Sequence, residues 1–167
     1  MLRQILGAGS PWIGLLLMFY LLGLSKVAEP IFTLRMPGSL RGIRPEERDG
    51  TLYRRLLVPQ FGRLLRDTPL RVLNLAVYLK KGRPDLRVLS RYVEAAEASH
   101  FWVAVLFFPY IVYVFWRGRP WVAGLFLVIQ VLFNIYPILH LRVVRDRLDR
   151  HFEKIHSRKG PETRAPL

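Results

Sequence analysis

Three runs of the chain, residues 4–25, 98–116 and 120–141, contain no Asp, Glu, Lys or Arg, and all 26 Lys and Arg lie outside them. A helix rises about 1.5 Å per residue, so each run reaches across most or all of a hydrocarbon core about 30 Å thick. A charge at the centre of that core costs about 2.5–3.5 kcal/mol even on the lenient insertion scale. Apolar and basic residues are therefore segregated as a bilayer demands. The expected fold is an all-α integral membrane protein with three transmembrane helices.

The first run, Gln4 to Ser25, follows Arg3 and also has the look of a signal peptide. It is longer than a usual signal core, and Val27-Ala28 before Glu29 makes a poor cleavage site, which favours a retained anchor. The second and third runs are separated by Arg117-Gly118-Arg119 alone. So short a connection inside a membrane protein can only reverse direction, which predicts a tight antiparallel hairpin. Trp116 and Trp121 flank the turn as an aromatic belt would.

Orientation follows from the basic residues. Fifteen Lys and Arg lie between Lys26 and Arg91 and eight from Arg142 onward, against Arg3 and the two arginines of the turn. The positive-inside rule puts the middle segment and the C-terminus in the cytoplasm and the N-terminus outside. The net charge of +14 and pI near 11.0 would suggest nucleic acid in a soluble protein. Here anionic lipid headgroups are the simpler partner. With no cysteine in the chain, disulfides, thiol nucleophiles and Cys-ligated metals are excluded.

The expected organisation is an anchor (1–25), a basic segment (26–97), the hairpin (98–141) and a basic tail (142–167). In the basic segment Leu52, Leu56, Leu57, Leu64 and Leu65 recur at helical spacing, with Arg54, Arg55, Arg63 and Arg66 off that stripe. Leu70, Leu73 and Val77 repeat the pattern after Pro69. Both read as amphipathic helices on the cytoplasmic face of the membrane, a small soluble cap being the alternative. Pro84-Asp85 marks a helix start, from which a helix can run unbroken through Glu97 into the second span.

Polar residues within spans are costly and need a reason. Gln130 and Asn134 are four apart on one face of the third span, which Pro137, Leu141 and Arg145 continue; His140 points elsewhere. Glu97 and His100 are three apart where the second span enters the membrane. The hairpin then puts Glu97, His100, Asn134, Arg142, Arg145 and Arg147 at one depth near the inner interface. Such a group suits general acid–base work on a hydroxyl, with arginines holding phosphate or an oxyanion. Each residue also has a plainer role. The arginines serve as positive-inside anchors, the amides bond between helices, and Glu97 pairs with Arg91 or Arg87. His151 and His156 suit no standard metal motif. Phosphate-loop, serine-elbow and zinc-helix signatures are absent.

Glu97-Ala98-Ser99-His100-Phe101-Trp102 resembles the E-x-x-H-W signature of the glycosyl-4,4′-diaponeurosporenoate acyltransferase family. Asn134-Ile135-Tyr136-Pro137, followed by Arg142, Arg145 and Arg147-Leu148, is similar to that family's N-x-Y-P and arginine-rich ending. Leu52-Tyr53-Arg54-Arg55 looks like its Y-R-K stretch, so the likeness covers residues 51–148. The chain departs from the pattern at Leu141 and Val144, where the family has Gln and Asn, and at Phe61, where it has Trp.

The resemblance implies a bacterial inner-membrane enzyme that transfers a fatty acyl group to a sugar hydroxyl of a glycosylated carotenoid or other lipidic glycoside. In that reading the donor, an acyl-CoA, is a co-substrate, with no resident cofactor and no metal. The resemblance maps Glu97, His100, Asn134, Arg142, Arg145 and Arg147 onto motif positions. Their roles follow from residue chemistry instead. His100 is expected as the base, oriented or made more basic by Glu97, with Asn134 binding the oxyanion and Arg142, Arg145 and Arg147 holding the donor's phosphates. The competing reading is a non-enzymatic scaffold or accessory subunit that grips anionic lipid through its basic helices.

Overall fold

The computed structural model describes residues 10–28, 35–68 and 85–158. Its elements are α1 (Pro11–Ala28), α2 (Gly38–Arg41), α3 (Pro45–Arg48), α4 (Thr51–Arg55), α5 (Val58–Asp67), α6 (Leu86–Trp116), α7 (Pro120–Gln130), a π-helical turn (Val131–Ile135) and α8 (Tyr136–Arg158). Among the described residues there is no strand. Three helices are long and apolar enough to cross a membrane: α1, α6, and the continuous rod formed by α7, the π turn and α8.

The helix of the second span begins where the sequence suggests. The Asp85 side chain accepts the backbone N–H of Arg87 at 2.9 Å, relieving one of the unpaired donors at the helix start. The 31 residues of α6 then run without a break to Trp116, through Pro109.

The reversal that follows has a specific cause. Gly118 sits at φ 73°, where a side chain would be strained. Its N–H bonds Phe115 O at 3.0 Å, and Arg119 N–H bonds Val114 O at 3.3 Å. That pair of bonds is the Schellman ending, and Pro120 starts α7 in the first turn, where no N–H is needed.

Two apolar clusters hold the bundle. Met18 of α1, Val103, Phe107, Ile111 and Val114 of α6, and Ala123 and Phe126 of α7 form one. Gly14 permits the close approach of α1, because a Cβ there would lie 2.1 Å from the Phe126 ring. Val93 and Ala96 of α6 with Leu141 and Leu148 of α8 form the other. Between these clusters lie Glu97, His100, Gln130 and Asn134, so the polar layer is sandwiched between apolar ones.

Around Leu52 to Leu65 the chain differs from one continuous amphipathic stripe. Leu57 takes φ 56°, an uncommon conformation for a non-glycine residue, and breaks the segment into α4 and α5. Tyr53, Val58 and Gly62 are the buried residues. Leu52, Leu56, Leu57 and Leu64 are exposed. The second stripe, Leu70 to Val77, lies outside the described residues.

Candidate active site

The site is built where α6 enters the bundle and α8 leaves it. Pro137 has no N–H to return to the carbonyl four residues back, and the rod widens into the π turn immediately before it. Asn134 lies on that turn and is fully buried.

A chain of polar contacts then crosses from one helix to the other. Gln130 Nε2 donates to the backbone carbonyl of Ala104 at 2.8 Å. Asn134 Nδ2 donates to Gln130 Oε1 at 2.8 Å. Asn134 Oδ1 faces His100 Nδ1 at 3.4 Å, a long contact. Direction is dictated from the far end, because a carbonyl can only accept. Gln130 must therefore turn its NH2 toward Ala104, Asn134 must turn its NH2 toward Gln130, and an acceptor is left for His100. Nδ1 of His100 is then the protonated nitrogen, and Nε2 carries the lone pair.

Beside this chain lies a group of buried charges. Glu97 is completely buried. Its Oε2 is 3.0 Å from Arg145 Nη1 and its Oε1 is 3.5 Å from Arg142 Nη1. Arg142 also reaches Glu47 Oε2 at 2.7 Å, Leu40 O at 2.7 Å and Gly42 O at 2.8 Å. Arg145 Nη2 donates to Arg41 O at 2.6 Å. Two guanidiniums thus clasp the segment of α2 and α3 onto the membrane helices, and two carboxylates balance them. Tyr53 is buried among these groups; desolvation, reinforced by the Glu47 carboxylate, raises its pKa above the usual phenol value.

The sequence expectations fare unequally against this geometry. Glu97, His100, Asn134, Arg142 and Arg145 are brought together. Arg147 is exposed and stands apart from them. His100 takes its hydrogen bond from Asn134, whereas Glu97 is engaged by the two arginines. Glu97 is therefore an anchor for the arginines here, and Asn134 the residue that orients His100. Arg142 and Arg145 are 8% and 4% exposed. With their donors turned to carboxylates and backbone carbonyls, they hold the protein's own chain in the place where donor phosphates were expected.

Glu47 and the carbonyls at residues 40–42 did not stand out in the sequence, and Tyr53 did so only as part of the family's Y-R-K stretch. The available signal was charge balance: two buried arginines call for two carboxylates, and Glu97 supplies one. His140 packs on the edge of Phe61, with ring centroids 6.3 Å apart, and against Gly62. Phe61, where the family pattern has Trp, also stacks at a tilt on Tyr136, 5.2 Å between centroids.

No curated protein and no solved structure matches the chain. The family model described as glycosyl-4,4′-diaponeurosporenoate acyltransferase matches residues 39–154, which takes in α3 to α7, the π turn, all of the polar layer and most of α8. The chain belongs to that acyltransferase family.

Proposed function

We propose that the protein is a membrane O-acyltransferase acting at the inner leaflet, with His100 as general base. The acceptor is a sugar hydroxyl on a glycosylated terpenoid, carotenoid or related glycolipid whose apolar body stays in the bilayer. The donor is a fatty acyl thioester, acyl-CoA, arriving from the cytoplasm. As the hydroxyl oxygen bonds to the acyl carbon, its proton passes to Nε2 of His100. The C–S bond then breaks, and the same proton goes to the leaving thiolate.

The observation that carries this reading is the polar relay from Ala104 through Gln130 and Asn134 to His100. It favours one tautomer and leaves the other ring nitrogen as the basic one. A histidine that only filled space between helices would have no use for a relay ordered behind its one amide partner. Glu97, sealed between arginines, acts as a positioning residue for the helix ends.

The test uses purified protein in proteoliposomes with an acyl-CoA and a glycosylated terpenoid acceptor. His100→Ala is expected to cut the rate of acyl transfer by about 10²–10⁴, the usual worth of a positioned base, with insertion and helix content retained. Undiminished transfer in that variant would remove the proposed base. Retained partner or lipid binding with no acyl product from the wild-type protein, whatever the donor, would favour the scaffold.

A further inference from the structure

A groove of about 880 Å³ opens between the segment around Arg35 and Arg41 and the first turns of α6. Arg35, Arg41, Arg87 and Arg91 line it, with Tyr92 and Glu94 beside them. Arg41 is paired with Glu94 at 2.8 Å. Among the described residues Arg35, Arg87 and Arg91 have no carboxylate partner. Arg87 and Arg91 are four apart on one helix face, a spacing at which like charges repel and destabilise the helix. Unopposed guanidiniums around a concavity are costly when it is empty and favourable when a multiply charged anion fills it.

The position of the groove narrows the kind of anion. Its α6 residues precede Ala98, where the uncharged run begins, so it opens in the headgroup and water layer outside the hydrocarbon. Residues 87–95 lie five to thirteen positions before His100 on the same helix, which is about 8–20 Å by helix rise. An anion seated there can carry its reactive end to the histidine only on a long arm.

Resting on the acyl-transfer reading, we infer that this groove binds the phosphates of the acyl donor, a thioester on a nucleotide-linked pantetheine arm. Arg35, Arg87 and Arg91 take the diphosphate and the ribose phosphate, and the arm runs along α6 toward His100. Arg142 and Arg145 are engaged internally, whereas these three are open to the phosphates. Phosphate chemistry is shared by lipid headgroups, so the experiment separates the two sources.

Coenzyme A itself is titrated calorimetrically into the full chain in phosphatidylcholine nanodiscs. The wild-type protein is expected to bind, and Arg87→Gln/Arg91→Gln to bind at least about tenfold more weakly with a shallower salt dependence, as loss of charge-assisted contacts requires. Arg87→Lys/Arg91→Lys should restore part of the affinity, and Arg63→Gln on α5 should leave it unchanged. Equal affinity in the wild-type and the double Gln variant overturns the proposal. So does an absence of coenzyme A binding to the wild-type protein; phosphatidylglycerol enrichment around it over the variant, read in nanodiscs containing both lipids, would then give the groove to a lipid headgroup. Binding is read also in His100→Ala, where it should persist. Loss of the base assignment and loss of the groove assignment are thereby told apart.

Discussion

At the scale of single residues, Asn134 is the side chain whose chemistry the surrounding structure constrains most. Its amide is fully buried and has both ends engaged, donating to Gln130 and accepting from His100. Asn134→Leu keeps the branching at Cγ and removes both hydrogen-bonding ends. Gln130 Oε1 and His100 Nδ1 then lose their partner, and the imidazole is free to take the other tautomer. The expected result is a fall in kcat of about ten- to a hundredfold with little change in KM for the donor, since the change touches orientation of the base and leaves donor binding alone. Steady-state kinetics on reconstituted protein reads this directly. A rise in KM at constant kcat would instead give Asn134 a binding role. Arg142 makes a second case. Arg142→Met leaves Glu47 and Glu97 with one guanidinium between them, and breaking a buried pair in this way costs about 3–5 kcal/mol. A large drop in the detergent denaturation midpoint is expected. Glu47→Gln/Arg142→Met should recover part of it, because one of the abandoned carboxylates is gone.

At the scale of elements, the close approach of α5 to α8 rests on Gly62. A Cβ at that position would lie 2.7 Å from Cε1 and 2.9 Å from Nδ1 of His140, too near for either ring atom to stay in place. Gly62→Val should therefore push α5 away from the rod while the three spans still insert. The expected signature is faster proteolysis or hydrogen exchange in residues 51–67 against unchanged protection in α6. Unchanged protection in both would mean that α5 has room to yield. Much at this scale was readable beforehand. Uncharged runs ended by basic residues marked the candidate spans, Arg117-Gly118-Arg119 marked the reversal, and the i, i+4 spacing of Gln130 and Asn134 placed them on one face. The clasp was not readable, because Arg142 meets Glu47 across 95 positions and Leu40 across 102. No local pattern announces a backbone carbonyl as a partner. The break at Leu57 was hidden too, since the leucine spacing runs through it without interruption and only tertiary packing of Tyr53, Val58 and Gly62 decides the face. The π turn left a trace in Pro137, which reads in sequence as a kink and proves to widen the helix around Asn134.

At the scale of the whole molecule, the remaining physical claim is which side of the membrane holds the clasp and the arginine groove. Twenty-three of the 26 basic residues lie in residues 26–91 and 142–164, and only three elsewhere. The clasp ties both basic regions to one end of the bundle, since Arg142 and Arg145 bind the segment at residues 40–47. That end and the Gly118 turn lie at opposite ends of α6, whose uncharged part is 19 residues or about 28 Å long. The positive-inside rule predicts that the basic end faces the cytoplasm and the Gly118 turn the opposite compartment. Because the chain has no cysteine, single introduced thiols report without background. In intact cells Arg119→Cys should react with a membrane-impermeant maleimide, whereas Arg48→Cys should react only after the membrane is opened. The reverse pattern would turn the molecule over and put the groove on the side where no nucleotide-linked donor is made. Equal reactivity of both thiols in intact cells would mean that α6 does not span at all, and the inner-leaflet reaction would go with it.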